Sequence, residues 1–174
     1  MNKILDKDNP LLRRVAEPVD KLEIESEWLK TLVQDMFAIM EEKGAVGVAA
    51  PQIGVNKRVI VFSTAYTKRR KPANPIPDTV LINPSLKILS EEIQEDYEGC
   101  LNCGEIMGKV PRAMEIEYSG FDMNGNFITK KATELEARIL QHEIDHLDGI
   151  LFLDRVKDND TLTTISELQN KVKE

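Results

Sequence analysis

Hydrophobic positions along this chain switch between two periods. Over residues 25–43, Trp28, Leu32, Phe37 and Met40, with Ile24 and Met36, recur at helical spacing and stop at Gly44, which predicts an N-terminal helix closed by a glycine cap. Two-residue alternation rich in β-branched and aromatic side chains predicts strands over 58–62, 79–89, 110–119 and 127–132. The run Asp122-Met-Asn-Gly125 predicts a hairpin turn joining the last two. Helical period then returns: Thr133, followed three residues later by Glu136, has the form of a capping box. Leu135, Ile139, His142 and His146 continue from it as one inward-facing stripe. A further helix is predicted over 162–172. The pattern is that of an α+β fold, mostly antiparallel strands surrounding a central helix that carries two histidines, with an N-terminal and a C-terminal helix.

Composition narrows this picture modestly. At 174 residues the chain is expected to form a single domain over 1–174, and its 41% hydrophobic and 30% charged content is ordinary for a globular protein. No stretch approaches the ~20 apolar residues of a membrane span, which argues against a membrane partner. The opening Met1-Asn-Lys-Ile-Leu-Asp6 has neither the apolar core of a secretion signal nor the acid-poor character of a transit peptide, so the cytoplasm is the expected location. A net charge of −7 excludes general DNA or RNA binding through a cationic surface. The basic run Lys68-Arg-Arg-Lys71 precedes Pro72, Pro75 and Pro77 and reads as a solvated loop, so any contact with a ribosome would have to be local.

The chemistry lies in the two histidines. His142 and His146 are the chain's complete histidine complement, and their i, i+4 spacing brings both imidazoles to one helical face, where they can close on one metal ion. Glu143 lies between them, placed to handle the proton of a water that the cation activates. A catalytic site of this kind needs a third protein ligand, and Cys100 and Cys103 are the available thiols. One cysteine with two histidines gives an open catalytic site. Both cysteines with both histidines would give a closed structural zinc site, although some forty residues separate the pairs where finger-type sites have about a dozen. A Cys100–Cys103 disulfide is a further reading, with little support from one lone pair. The residues thus admit an HExxH metallopeptidase, a zinc-stabilised binding module, or another metal-dependent hydrolase.

Three blocks bring in a family. Ala45-Val-Gly-Val-Ala-Ala-Pro-Gln-Ile-Gly54, Glu98-Gly-Cys-Leu101 and Gln141-His-Glu-Ile-Asp-His-Leu-Asp-Gly149 resemble, in order and spacing, the motifs of peptide deformylases. The connecting segments around Leu12–Val19, Val80–Pro84, Val110–Arg112 and Ile150–Asp154 are similar too, so the likeness spans nearly the whole chain and favours the bacterial type with a C-terminal helix. The resemblance implies removal of the formyl group from formyl-methionyl nascent peptides, with the ribosome near its exit tunnel as a partner. It implies one divalent ion, usually ferrous iron (Fe2+) with zinc, nickel or cobalt able to replace it, on Cys100, His142 and His146. Glu143 would be the acid–base group, and Gln52 with the Leu101 N–H would meet the oxyanion. Val46, Gly47 and Gly99 would pair with the peptide backbone, while Val46, Leu135 and Ile139 would line the methionine pocket. A Glu98–Arg112 ion pair would brace the cysteine loop.

Four positions depart from that pattern. Ala45 replaces the first glycine of a usual Gly-x-Gly, Asn102 a usual serine, and Met107 a frequent arginine, while Arg138 stands at a site often apolar. Cys103 has no counterpart in the motif. The metal, base and oxyanion positions are intact, so these departures bear on substrate and inhibitor fit.

Overall fold

The computed structural model describes residues 3–67 and 74–171, which leaves the basic run 68–71 and Val172 outside the described residues. Helix α1 spans Glu27–Lys43. It opens where the Ser26 hydroxyl accepts the Leu29 N–H and ends at Gly44, whose φ of 65° supplies the left-handed cap. Its buried face is Leu29, Leu32, Val33, Met36, Ile39 and Met40. The predicted stripe was therefore out of phase at its first member, since Trp28 is 44% exposed and Leu29 takes the inward position. Ile24 is buried but precedes the helix.

Five strands, β1 (Gly47–Ala49), β2 (Val59–Phe62), β3 (Thr79–Ile88), β6 (Glu115–Phe121) and β7 (Phe127–Thr133), form an antiparallel sheet in the order β1-β2-β3-β6-β7. A second antiparallel sheet holds β4 (Ile93–Gly99), β5 (Ile106–Ala113) and the short β8 (Thr163–Thr164). Both faces of β2 are covered. Ile60 and Phe62 pack with Leu140, Ile144 and Leu147 of helix α2 (Glu134–Leu147), whereas Val59 and Val61 pack with α1 through Met36 and Met40. Each of these fully buried side chains contributes ~1.5–3 kcal/mol of burial free energy, so a four-residue strand is held firmly by its neighbours. Helix α2 contacts β1, β2 and β7 of the larger sheet and β5 of the smaller one. Helix α3 (Ile165–Lys171) follows β8.

The hairpin at 122–125 forms as the sequence predicts, with Gly125 at φ 75° and the Asp122 carboxylate accepting the Asn124 and Asn126 N–H groups. Four expectations need correction. The single strand predicted over 110–119 is two strands in different sheets, broken at Met114. Strand β4 was not anticipated, because Ile93, Gln94, Glu95 and Asp96 are all exposed and carry no apolar alternation. The capping box at Thr133 is absent: Thr133 is the last ladder residue of β7, paired with Glu115, and the chain turns into α2 through Glu134 at φ 52°. The left-handed turn at Glu134 takes the first helical N–H groups out of the geometry a Thr133 hydroxyl would cap, and Glu136 instead accepts from the Tyr118 hydroxyl at 3.4 Å. The terminal helix begins later than expected, at Ile165, because Thr163 and Thr164 pair with Met107 and Ile106. Among the described residues, no helix is long and apolar enough to cross a membrane.

Candidate active site

The donors come from two elements. Helix α2 delivers His142 and His146 one turn apart, with ring centroids 4.9 Å from each other. Cys100 stands at the end of β4, where the strand gives way to a single 3-10 turn over Leu101–Cys103. Its Sγ lies 3.3 Å from His146 Nε2, and the donor atoms of Cys100, His142 and His146 are all within 4.8 Å of one another. Cys103 is not part of this set, and both cysteines are free and buried, with no disulfide. One thiol and two imidazoles fit a divalent transition ion in both number and softness.

The buried polar atoms agree with that fit. Burial, aided by the charge of His142, pushes the His146 imidazole well below its usual range and keeps it neutral, the form that ligates. The neighbouring Cys103 thiol and burial push the Cys100 thiol up, so a bound cation is what would draw it to thiolate. Burial also holds the Glu143 carboxyl up at about 7, and its Oε2 is buried with no protein partner. A carboxyl poised there both accepts and returns a proton near neutral pH.

Behind the donors is a charged network. Glu98 Oε2 is 3.0 Å from His142 Nδ1, which commits that nitrogen and leaves Nε2 to act as donor. Arg112 forks onto Glu98 through Nε and Nη2, both at 3.0 Å, and its Nη1 donates to Asp145 at 2.6 Å. Arg138 adds a bond to Glu98 Oε1 at 2.8 Å and donates to the carbonyls of Val110 and Gln94. Asp145 is closed from the far side by Arg155 at 2.7 Å. Burial opposes ionisation of Glu98, but the bonds from His142 and Arg112 override it and hold the carboxyl down at about 2. The expected Glu98–Arg112 pair is thus present. Arg138, Asp145 and Arg155 were missed as members, although Asp145 sits inside the His-Glu-x-x-His run and an arginine facing it was a readable possibility.

An open cavity of ≈ 450 Å³ lies before the donors. Val46, Gly47 and Gln52 line one wall, and Glu98, Gly99, Cys100 and Leu101 the other. Leu135, Ile139, His142 and Glu143 of α2 form its floor. Leu135 belongs to the rim rather than the core: it is 37% exposed, whereas Ile139 is buried, so the inward stripe expected of α2 begins one turn late. His146 and Arg112 lie behind the lining. Ala45, Met107 and Arg138 also border the cavity, as do Ile165 and Gln169 of α3, which sequence reasoning did not connect to the site. Gly47 has a steric reason to be glycine, since a Cβ there would meet the Glu143 carboxylate, with Cδ at 2.8 Å.

A mixed α/β fold with antiparallel sheets around a cleft that gathers a cysteine, two histidines and a buried glutamate belongs to the hydrolases. The model of the polypeptide deformylase family matches residues 1–161. Peptide deformylase 2 of Ralstonia nicotianae is 41% identical over 155 residues, covering 89% of this chain and 86% of that one. Among solved structures, a Met-Ala-Ser-bound class I type b peptide deformylase from Acinetobacter baumannii superposes with a TM-score of 0.81 at 34% identity, over 89% of this chain and 99% of that one. The peptide deformylase of Thermotoga maritima gives 0.79 at 31% identity, over 91% and 99%. The chain belongs to the polypeptide deformylase family, metal-dependent hydrolases of protein biosynthesis that remove the N-terminal formyl group from nascent polypeptides.

Proposed function

We propose that this chain deformylates formyl-methionyl peptides in the cleft between β1 and β4, with a divalent ion held by Cys100 after β4 and by His142 and His146 on a central helix α2. The observation that carries the reading is the convergence of those three donors, within 4.8 Å of one another, beside a glutamate whose buried Oε2 has no partner. When bound, the cation supplies Lewis acidity, polarising a carbonyl oxygen and lowering the pKa of water toward ~7.

The chain's own residues do the rest. Strands β1 and β4 each lie at the edge of their sheet, so an extended peptide can add between them, pairing with main-chain groups of Val46, Gly47 and Gly99. Its methionine side chain enters the apolar surface of Val46, Leu135 and Ile139. A peptide that begins with methionine, Met-Ala-Ser, is bound by the similar Acinetobacter enzyme. Glu143 takes a proton from the water attacking the formyl carbon and returns it to the amine nitrogen as the C–N bond breaks, releasing formate. The developing oxyanion meets the Gln52 side-chain amide and the N–H of Leu101, the first residue of its 3-10 turn, where a backbone donor has no intrahelical partner. Glu98 and Arg112 hold His142 and the cysteine loop in place.

Ferrous iron is the ion we infer, with zinc, nickel and cobalt compatible with the same donors. The whole chain acts as a single domain, the cytoplasm is its inferred location, and contact with the ribosome near the exit tunnel would be local. The test follows formate release from a formyl-methionyl peptide by the metal-loaded chain and its Glu143→Gln variant. The variant should retain one ion per chain and lose nearly all turnover, while cleavage at an internal amide with no formate would replace this reading with a metallopeptidase.

A further inference from the structure

Gln52 is 2% exposed, and both ends of its side-chain amide are held. Oε1 accepts the N–H of Ala49 at 2.7 Å, and Nε2 donates to Asn102 Oδ1 at 2.8 Å, with Cys100 Sγ at 3.4 Å from the same nitrogen. Asn102, itself 4% exposed, is held in turn. Its Nδ2 donates to the carbonyl of Leu5 at 2.7 Å and lies 3.4 Å from the carbonyl of Gln52. Two main-chain bonds complete the tie: the Leu5 N–H to the Gln52 carbonyl and the Lys7 N–H to the Asn102 carbonyl, both at 2.9 Å.

The chemistry of these bonds fixes a direction. A carboxamide nitrogen has two protons and its oxygen only acceptor capacity. Ala49 can bond only the oxygen end of Gln52, and Leu5 O can bond only the nitrogen end of Asn102, so neither amide can be reversed without leaving a buried donor or acceptor unmet. One proton of Gln52 Nε2 is consumed by Asn102 Oδ1. The other is directed to Cys100 Sγ at 3.4 Å, on the side of the cleft, where an oxyanion forming beside Cys100 would compete for it.

From this we infer that Asn102 is a positioning residue for the reaction: it anchors Gln52 so that a single amide proton faces the developing oxyanion, and the N-terminal segment at Leu5 is the backbone post that fixes Asn102. The inference rests on the proposed role of Gln52 as an oxyanion donor and adds what aims it. Preorganisation is the reason it matters, because a donor already aimed stabilises charge without reorienting during the reaction, and a misplacement of about 1 Å can cost ~10²-fold in rate.

The experiment is a double-mutant cycle on the metal-loaded enzyme with Asn102→Leu, Gln52→Leu and the pair, read as kcat and KM for a formylated peptide and accompanied by metal content. Asn102→Leu should lower kcat about 10- to 100-fold with KM within about threefold and one ion per chain retained, and should have little further effect in the Gln52→Leu background. A loss that persists undiminished in that background overturns the inference, because Asn102 would then act by another route. Equally, wild-type kcat in Asn102→Leu overturns it while leaving Gln52 in its role. Should Gln52→Leu itself keep full kcat, the oxyanion reading of Gln52 falls and the inference with it. Independently of turnover, the Gln52 side-chain amide protons of the zinc-loaded protein, assigned by their disappearance in Gln52→Leu, should include one that is slow to exchange with solvent. That protection should be lost in Asn102→Leu and, where leucine impairs folding, in the smaller Asn102→Ser; its retention in a folded variant overturns the inference.

Discussion

Gly47 and Glu143 meet so closely across the cleft that no side chain fits between them: a Cβ on Gly47 would lie 2.8 Å from Glu143 Cδ. The edge strand that is to receive substrate and the carboxylate that is to move its proton are therefore positioned by one contact. Gly47→Ala must shift β1 outward or swing the carboxylate away. Because displacements near 1 Å can cost ~10²-fold, kcat/KM should fall by about one to two orders of magnitude. Metal content should stay at the wild-type level, since none of the three donors is touched. Near-normal kcat/KM in this variant would show that Glu143 has more freedom than the contact allows.

Glu98 joins a metal-facing histidine to two arginines, and all three partners depend on its charge. Glu98→Gln leaves the Arg138 guanidinium buried with only carbonyl partners and Arg112 with Asp145 as its one remaining counterion, for a cost of ~3–5 kcal/mol. For a chain of this size that corresponds to a fall in melting temperature of about 6–20 °C. Affinity for the ion should also drop about 10- to 100-fold, because His142 loses the acceptor that orients it. The pH dependence has a definite sign. With its carboxyl held at about 2, well below an ordinary glutamate, Glu98 adds stability above the unfolded-state value and loses it as pH falls toward 2. Unfolding of the metal-stripped wild type should therefore steepen with acid over that window relative to Glu98→Gln. Parallel pH profiles for the two would sink this assignment.

What the sequence made legible was whatever it wrote locally. The i, i+4 histidines and the intervening glutamate declare chemistry by spacing, and the hairpin glycine declares its turn, whereas the choice of Cys100 over Cys103 came from the family resemblance. Features set by partners distant in the chain were hidden. Strand β4 is defined by pairing Gln94 with Arg112 and Glu98 with Gly108, not by any alternation of its own. Arg138 reads from sequence as a polar intruder on an apolar face, yet its charge is used up by a carboxylate forty residues earlier. The false capping box at Thr133 arose in the same way, from a local motif overruled by the left-handed turn at Glu134 that joins β7 to α2.

That overruling can be measured. Thr133→Val removes the hydroxyl but keeps the β-branched shape that suits the end of β7. An exposed position with no capping bond should tolerate the change within ~0.5 kcal/mol, whereas loss of a working N-cap costs ~1 kcal/mol. Chemical denaturation of the two proteins under identical metal loading decides between them. A loss at or above the capping value would mean that Thr133 does close the helix in solution.

The two cysteines, three residues apart, should behave as different kinds of residue. Both cysteines belong to a small apolar cluster with Val110 and Phe152, but only Cys100 lies among the histidine donors. Cys100→Ser replaces a soft thiolate ligand by a hydroxyl that stays protonated at neutral pH, so metal content after dialysis should collapse and turnover with it. Cys103→Ser should keep one ion per chain and most of the activity. Its penalty should instead appear in stability, at ~1–3 kcal/mol for a hydroxyl placed in apolar surroundings. Metal analysis alongside thermal unfolding separates the two effects, because a ligand loss moves the first readout and a packing defect only the second. Equal metal loss in both variants would restore the closed four-ligand zinc site and remove the open coordination position on which hydrolysis depends.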